Sequence, residues 1–198
     1  MMTDFVEIID NFLEKSYFNY IVNEVIGDSI FPWYYAEDSS SCGNNVYTMN
    51  GKSISNAYGF STKLVNEEGP LNYLGDRVYP FALKVKDLLR ANNVLRVRAD
   101  MCMYDPSEKV HAPHVDFPGQ HHYSSILYLN ETDGDTFIFN EKDPGVQINK
   151  SAMRNFTIKE TISPKPNRLL IFDGSYVHTG SSPSRHKSRK LLNSNYSL

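Results

Sequence analysis

The spacing of hydrophobic and polar residues separates a helical amino-terminal part from a strand-rich remainder. Residues 5–9 are mostly apolar and β-branched, which predicts a strand, whereas residues 13–26 carry apolar side chains at helical spacing. Residues 73–90 show the apolar stripe of a second amphipathic helix, in which Pro80 must lie in the first turn or at a kink. The amino-terminal part is therefore predicted to contain one strand and two helices.

From residue 94 onward, the apolar positions have the spacing of short strands separated by turn residues. The predicted strands cover residues 94–104, 124–129, 136–140, 146–148, 156–162, 169–172 and 190–196. Many short strands favour a sandwich or a barrel, and helices that precede such a run indicate an α+β chain whose helices back one sheet. Since no linker or composition shift interrupts the chain, we expect residues 1–198 to form a single domain.

A segment rich in Ser, Asn and Gly spans residues 36–58. Asn50-Gly51 predicts a hairpin turn between residues 46–49 and residues 52–55. A segment of this kind can cover an active site, or it can be a surface hairpin without a role in chemistry. The sequence leaves both possibilities open.

Charge and cysteine content narrow the class of protein. The chain has 20 Lys and Arg against 23 Asp and Glu, and a net charge of −3 gives no strong signal for nucleic-acid binding. Cys42 and Cys102 form no C-x-x-C pair, so neither a disulfide framework nor a structural zinc site is indicated. No leader sequence or membrane span is recognisable, and we expect a cytoplasmic protein whose oligomeric state the sequence does not give.

Candidate metal ligands occur at three positions. His114 and Asp116 are two residues apart, which on a strand or at its end directs both side chains to the same side. His178 follows the predicted strand 169–172 and could supply a third ligand. Two imidazoles and one carboxylate on one face of a ferrous ion leave the opposite face open for a chelating cosubstrate and dioxygen. The pattern therefore favours a non-haem iron site.

Sequence motifs around these residues resemble those of the Fe(II)/2-oxoglutarate dioxygenases, and especially of the prolyl 4-hydroxylase branch. His111-Ala-Pro-His-Val-Asp-Phe-Pro resembles the metal segment of that branch. Ser125-Ile-Leu-Tyr-Leu-Asn and Asp133-Gly-Asp-Thr are similar to its Tyr-Leu-Asn strand and Gly-Gly-x-Thr turn, with Asp135 replacing one Gly. The resemblance covers residues 94–196 and implies a double-stranded β-helix, a jelly-roll or cupin-like core with supporting N-terminal helices.

The resemblance also implies roles for individual residues. His114, Asp116 and His178 would bind Fe(II), and Arg189 would pair with the distal carboxylate of 2-oxoglutarate, which with dioxygen is a cosubstrate for hydroxylation of an unactivated C–H bond. Strand alternation places Arg189 on the opposite face from Lys190. Further cosubstrate contacts are implied for Tyr104, Tyr128 and Thr136, for which the alternative is ordinary packing in strands.

Two further residues are candidates for substrate contact. His121 falls where the prolyl hydroxylase branch tends to place a substrate-facing Arg, although His121 and His122 together are expected to form a surface pair without an acid to complete a metal site. Trp33 is either a core residue or an aromatic contact for a peptide. We expect His111 and His186 to lie at the surface or behind the metal ligands.

The resemblance makes a peptidyl side chain, with proline first, the leading substrate hypothesis. A small metabolite or a nucleobase is the alternative, and a groove beneath residues 36–58 would favour a peptide whereas a closed cavity would favour a small molecule. A non-catalytic, cupin-like metal-binding module is a different class of protein with the same triad. A serine hydrolase is disfavoured because no nucleophile elbow surrounds Ser175.

Overall fold

The computed structural model of the 198-residue chain describes residues 5–36, 47–49, 52–54, 58–143 and 156–198. Its elements are β1 (Val6–Ile9), α1 (Lys15–Tyr20), a π-helical segment (Ile21–Val25), β2 (Tyr34–Ala36), β3 (Tyr47–Met49), β4 (Lys52–Ile54), β5 (Gly59–Asn66), β6 (Gly69–Pro70), α2 (Tyr73–Leu89), β7 (Val94–Met103), β8 (His122–Tyr128), β9 (Thr136–Lys142), β10 (Ile158–Ile162), β11 (Leu169–Asp173), β12 (Tyr176–Gly180) and β13 (Ser188–Ser197). Strands outnumber helices, as expected for a sheet-rich α+β fold.

The strands of this part of the chain pair antiparallel in one large sheet, one small sheet and one isolated pair. The large sheet has eight strands in the order β1-β11-β8-β13-β7-β5-β2, with β6 beside β5. The small sheet has the order β10-β9-β12, and β3 pairs with β4. The last strand, β13, thus lies between β8 and β7, in the middle of the large sheet.

Alternation along the central strands divides the apolar side chains between two layers. Leu127 of β8 and Ile171 of β11 belong to the cluster that packs against the helices, whereas Ile126 and Leu170 belong to a cluster shared with the small sheet. A strand that is buried on both faces often reads as a nearly continuous apolar run, which explains why β11 was predictable, whereas β8 has such a run only over residues 126–128. The two sheets therefore enclose an apolar interior, and the helices cover the outer face of the large sheet.

The second helix is specified at both ends. Asn72 Oδ1 accepts hydrogen bonds from the backbone N–H groups of Leu74 and Gly75, at 3.0 and 3.1 Å, and Arg90 ends the helix in the left-handed conformation. Its buried stripe consists of Leu74, Gly75, Val78, Phe81, Ala82, Val85 and Leu89. Pro80 lies in the interior of the helix and not in its first turn. Among the described residues, no helix has both the length and the apolar character needed to cross a bilayer.

Most predicted elements are present, and the differences are local. The predicted helix over residues 13–26 is α1 followed by the π-helical segment. The predicted strand at 146–148 and the Asn50-Gly51 turn lie outside the described residues. The sequence did not predict β2, β5 or β12. One face of β5 carries Gly59, Ser61 and Lys63 instead of apolar side chains, and β12 immediately follows a turn.

Candidate active site

Two separate segments bring the predicted metal ligands together. His114 and Asp116 lie in the connection between β7 and β8, and His178 lies within β12. The backbone N–H of each histidine donates to the carbonyl oxygen of the other, both at 2.9 Å, which forms an isolated bridge between the segments. The sequence placed His178 beyond a strand, whereas the structure places it inside one. The bridge fixes the two imidazoles side by side, with ring centroids 4.6 Å apart.

Backbone carbonyl groups orient both imidazoles. His114 Nδ1 donates to the carbonyl oxygen of Ala112 at 3.0 Å, and His178 Nδ1 donates to that of Tyr176 at 3.1 Å. A proton on Nδ1 leaves Nε2 with a free lone pair, which is the arrangement of histidines that bind metals. His178 Nε2 is buried and has no hydrogen-bond partner among the described residues. Both rings are therefore held in the tautomer that a metal requires.

The three side chains form a compact donor set. One ligand atom from each of His114, Asp116 and His178 lies within 4.8 Å of the others. Two imidazoles and one carboxylate match the facial triad of non-haem Fe(II) enzymes, and the buried Nε2 of His178, which has no partner among the described residues, is the atom that a metal would satisfy. The donor set thus fits a ferrous ion.

Asp116 is held by donors from three strands of the large sheet. Arg96 Nη2 donates to its Oδ1 at 2.7 Å. Its Oδ2 accepts hydrogen bonds from Asn195 Nδ2 at 2.9 Å, Ser124 Oγ at 3.3 Å and Asn193 Nδ2 at 3.4 Å. Burial would raise the pKa of this carboxyl group, but the charges of nearby groups, including Arg96, keep it well below its usual range. Asp116 is therefore ionised, and Oδ1 keeps a lone pair for a metal.

His178 is neutral under the same conditions. Burial, reinforced by neighbouring His114, lowers its pKa to about 4. The 3.6 Å distance between His178 Nε2 and Asp116 Oδ2 is therefore not an ion pair at neutral pH. A neutral imidazole beside an ionised carboxylate is the protonation state in which both bind a cation.

Arg189 forms the opposite end of the site. The residue is only 3% exposed, and Nη2 donates to Thr136 Oγ1 at 2.6 Å. Thr136 Oγ1 shares a further hydrogen bond of 2.7 Å with the hydroxyl group of Tyr128, and the guanidinium lies 5.5 Å from the centre of the Tyr128 ring. Arg189 Nε is buried without a hydrogen-bond partner, and no ion pair of Arg189 occurs within the described residues. A buried, uncompensated cation of this kind is expected only where an anion binds.

One cavity of about 140 Å³ joins the two ends. Its lining includes His114 and His178 at one end and Thr136 and Arg189 at the other. Ile126 and Leu191 contribute apolar surface between them. The geometry therefore accommodates a small ligand that reaches from a metal to a buried guanidinium.

Three predicted site residues lie elsewhere. Tyr104 is about half exposed, and Trp33 is partly buried against Phe31, with ring centroids 4.7 Å apart. His121 is exposed, and neither it nor the other two lines the described cavity. His122 is 1% exposed, so the prediction of a surface pair is wrong for this residue, because β8 is buried on both faces.

Some residues at the site were not predicted. His111 is buried, lines the cavity and shares a hydrogen bond of 3.1 Å between Nε2 and Ser182 Oγ. Of the two predicted positions, at the surface or behind the metal ligands, the structure therefore excludes the surface. Burial, reinforced by Arg189, lowers its pKa to about 3. The roles of Arg96 and Asn195 were missed, although Arg96 alternates with apolar residues along β7, and Asn195 is opposite Arg96 on β13.

Comparison with known proteins agrees with this geometry. Residues 100–197 match the family model described as the 2OG-Fe(II) oxygenase superfamily. That range contains the three candidate metal ligands and Arg189. No curated protein matches the chain.

Solved structures share the fold at low sequence identity. A Pseudomonas putida prolyl-4-hydroxylase is 13% identical, with a TM-score of 0.58 over 98% of this chain and 92% of that chain. A Trichoplax adhaerens prolyl hydroxylase, in complex with a hypoxia inducible factor peptide fragment, is 12% identical, with a TM-score of 0.60 over 96% and 82%. The epimerase SnoN, in complex with Fe³⁺, alpha ketoglutarate and nogalamycin RO, is 10% identical, with a TM-score of 0.61 over 97% and 78%.

These similarities confirm the predicted α+β fold with a double-stranded β-helix core. They also confirm the resemblance on which the iron and 2-oxoglutarate predictions depend. The match of sequence motifs, fold and donor geometry leads to one assignment. The chain belongs to the 2OG-Fe(II) oxygenase superfamily of oxidoreductases.

Proposed function

We propose that this chain, acting as a single domain over residues 1–198, hydroxylates an unactivated C–H bond with Fe(II), 2-oxoglutarate and dioxygen. His114, Asp116 and His178 hold the iron, and Arg189 binds the distal carboxylate of 2-oxoglutarate. The observation that carries this proposal is the buried Arg189, which has no carboxylate partner in the described chain and shares a cavity with two of the three metal ligands. A buried arginine with only a structural role would be paired with a carboxylate.

The protein's own contribution is charge placement and exclusion of water. When bound, iron and 2-oxoglutarate together supply the oxidation, in which dioxygen is consumed and 2-oxoglutarate becomes succinate and carbon dioxide. Arg189 neutralises the carboxylate at the far end and thereby fixes the orientation of the cosubstrate. Thr136 and Tyr128 hold the guanidinium, and the donors to Asp116 keep that carboxylate ionised in a buried position.

The proposed substrate is a peptidyl side chain, with proline as the first candidate. The sequence motifs resemble the prolyl 4-hydroxylase branch, and two solved prolyl hydroxylases share the fold. Exposed Tyr34 and Tyr35 lie on β2, which ends at the cavity residue Ala36, and Tyr35 contacts Phe60 with ring centroids 5.9 Å apart. Aromatic side chains of this kind are common contacts for peptides.

A small molecule is the second candidate for the substrate. The epimerase SnoN, whose structure contains nogalamycin RO, has the same fold. The small volume of the cavity, about 140 Å³, also favours a compact substrate group. Residues 37–46, which belong to the predicted cover, lie outside the described residues.

The test measures binding and turnover of 2-oxoglutarate separately. Calorimetry with Mn(II)-loaded protein should show 2-oxoglutarate binding that weakens at least 100-fold in Arg189→Met, because the variant leaves the distal carboxylate unpaired. Lys190→Met is the matched control, since Lys190 lies on the same strand but points to the other face. Succinate formation after Fe(II) loading and exposure to air should disappear in Asp116→Ala.

Two results would contradict the proposal. Equal 2-oxoglutarate binding by wild-type protein and Arg189→Met would remove the assigned role of Arg189. Absence of 2-oxoglutarate binding by the wild-type protein would favour a non-catalytic metal-binding module.

A further inference from the structure

A second charged pair lies in the cavity and has no part in the proposed binding of iron or 2-oxoglutarate. Arg98 and Asp100 are two residues apart on β7 and both line the cavity. Arg98 Nε lies 2.7 Å from Asp100 Oδ1 and 2.9 Å from Oδ2. Their side chains are 28% and 17% exposed. The pair therefore forms part of the cavity wall rather than the surface of the protein.

The register of the large sheet locates this pair relative to the rest of the site. On β13, Arg189 is opposite Cys102, Leu191 is opposite Asp100 and Asn193 is opposite Arg98. Residues opposite one another on neighbouring strands share a face of the sheet. Arg98 and Asp100 thus line the interval between the end that binds 2-oxoglutarate and Asn193, which donates to Asp116.

The three arginines on the inner face of the sheet differ in what they bind. Arg96 pairs with Asp116, and Arg189 has a buried guanidinium reserved for the cosubstrate. Asp100 occupies only the Nε of Arg98, and no described residue accepts a hydrogen bond from either Nη group of Arg98. Asp100 therefore fixes the orientation of the guanidinium while its two terminal donors remain available.

We propose that the terminal Nη groups of Arg98 bind a carboxylate of the primary substrate and hold the substrate beside the metal. The inference rests on the proposed function, because it presumes that 2-oxoglutarate occupies Arg189. A planar guanidinium with two parallel free donors matches a carboxylate, and partial burial strengthens the interaction. The carboxylate belongs either to a small acid such as a free amino acid or to an acidic peptide.

The pair is better explained by ligand binding than by stability. Charged groups that line a cavity lose hydration, and replacement of such a pair by apolar residues is often neutral or stabilising. A neutral prolyl side chain does not use a guanidinium with free donors, so the ligand of Arg98 is another group of the substrate. Arg98 is therefore assigned as a specificity-determining residue, and Asp100 as the residue that positions it.

The experiment compares acids with their amides on Mn(II)-loaded protein saturated with 2-oxoglutarate. The first arm uses free amino acids beside their carboxamides, for example L-proline and L-prolinamide. The second arm uses N-acetyl-Pro-Glu-amide beside N-acetyl-Pro-Gln-amide. The measured quantity is relaxation of probe protons by the manganese, which reports binding close to the metal. Each probe is titrated against wild-type protein, Arg98→Gln and Lys63→Gln.

We expect the acid to bind about 10- to 100-fold more tightly than its amide in one of the two arms. That preference should disappear in Arg98→Gln and persist in Lys63→Gln, because Lys63 is an exposed cation outside the cavity lining and opposite Arg98 on β5. The arm that responds identifies the source of the carboxylate. The affinity for 2-oxoglutarate should change less than threefold in Arg98→Gln.

Three results with the probes would overturn the inference. These are equal binding of acids and amides, an acid preference that survives in Arg98→Gln, and absence of probe binding in both arms. Since 2-oxoglutarate binding is measured on the same samples and depends on Arg189, such a result leaves the proposed function standing. Loss of 2-oxoglutarate binding in Arg98→Gln would instead assign Arg98 to the cosubstrate and would also overturn the inference.

Discussion

Arg189 owes its position to two hydroxyl groups rather than to a carboxylate. Thr136 Oγ1 accepts from its guanidinium at 2.6 Å, and the hydroxyl group of Tyr128 contacts the same oxygen at 2.7 Å. Such a chain of neutral hydrogen bonds orients a cation without neutralising it. The guanidinium consequently keeps its full charge for a ligand.

Replacement of Tyr128 by Phe tests this arrangement. Tyr128→Phe removes the hydroxyl group but keeps the ring, so we expect a three- to tenfold weaker affinity for 2-oxoglutarate and a loss of about 1 kcal/mol in the free energy of unfolding. Tyr196→Phe is the control, because its buried hydroxyl group donates to Ser194 Oγ at 2.9 Å and lies outside the cavity lining. Calorimetry should show unchanged 2-oxoglutarate affinity in the control. An equal loss of 2-oxoglutarate affinity in both variants would contradict the role of the Tyr128 hydroxyl group in orienting Arg189.

The buried His111 predicts a dependence of stability on pH. Its pKa is about 3 in the folded protein against an ordinary value of 6.5. The free energy of unfolding is therefore unaffected by protonation of His111 above pH 6.5 and decreases as the pH falls from 6.5 toward 3, because the unfolded chain binds the proton first. Lowering the pH from 7.5 to 4.5 should therefore decrease the free energy of unfolding by about 2 to 3 kcal/mol through this single group.

Urea unfolding of metal-free protein at the two pH values measures this effect. His111→Gln should show a smaller decrease than wild-type protein, although its stability at pH 7.5 is expected to be lower. An identical decrease in both proteins would show that His111 is not the titrating group.

Side-chain chemistry made part of the site predictable. A carboxylate two residues from a histidine and an arginine near the start of a strand are visible in sequence. The network around Asp116 was not, because Arg96, Ser124 and Asn195 come from three strands whose adjacency depends on the sheet order. Trp33 and Tyr104 show the reverse, since aromatic residues near a motif need not face it.

At the level of elements, the end of β12 passes close to Arg189. A Cβ atom on Gly180 would lie 2.9 Å from Arg189 Nη1 and 3.4 Å from Nη2. Only the far end of a flexible side chain meets this position, so the backbone of β12 can tolerate the addition. The position of the Arg189 guanidinium, and not the backbone conformation of β12, therefore requires glycine at position 180.

We expect Gly180→Ala to weaken 2-oxoglutarate binding about tenfold, because the guanidinium must move. The free energy of unfolding should change by less than about 1 kcal/mol. Gly134→Ala provides the contrast, since Gly134 has φ +101° and its Cβ would lie 2.7 Å from the carbonyl oxygen of Ser181. Chemical denaturation should therefore show a larger loss for Gly134→Ala. Unchanged 2-oxoglutarate affinity in Gly180→Ala would be inconsistent with the packing described.

Strands with strong apolar periodicity were predictable, whereas two of the strands that line the site, β5 and β12, were not. The β11 strand is a nearly continuous apolar run, and the end of β8 is apolar over residues 126–128. The face of β5 opposite the cavity residues of β7 carries Gly59, Ser61 and Lys63 instead. The short β12 is a strand because β9 pairs with it, which is a long-range contact that local propensity does not reveal.

For the whole molecule, binding of metal and of 2-oxoglutarate should be coupled. In the proposed function, a metal held by His114, Asp116 and His178 would join the connection before β8 to β12, and 2-oxoglutarate would span the cavity between the metal and Arg189. At 2-oxoglutarate concentrations about 100 times Kd, the folded state gains about 2.7 kcal/mol, which corresponds to a Tm increase of about 5 to 10 °C for a chain of this size.

Thermal unfolding with Mn(II), with 2-oxoglutarate and with both measures the coupling. We expect 2-oxoglutarate to increase the Tm only when Mn(II) is present. Arg189→Met should keep the increase in Tm that Mn(II) alone causes. An equal 2-oxoglutarate increase after chelation of the metal would show that the two ligands bind independently.

The central position of β13 also determines when the enzyme becomes competent during its synthesis. The strand that carries Arg189 follows all the other described strands in chain order, yet it must pair with both β7 and β8, which are synthesised much earlier. Until that strand emerges from the ribosome, β7 and β8 lack the neighbour that joins them. A nascent chain that lacks β13 can therefore contain His114 and Asp116, but the cavity that joins His114 to Arg189 forms only once β13 has been added.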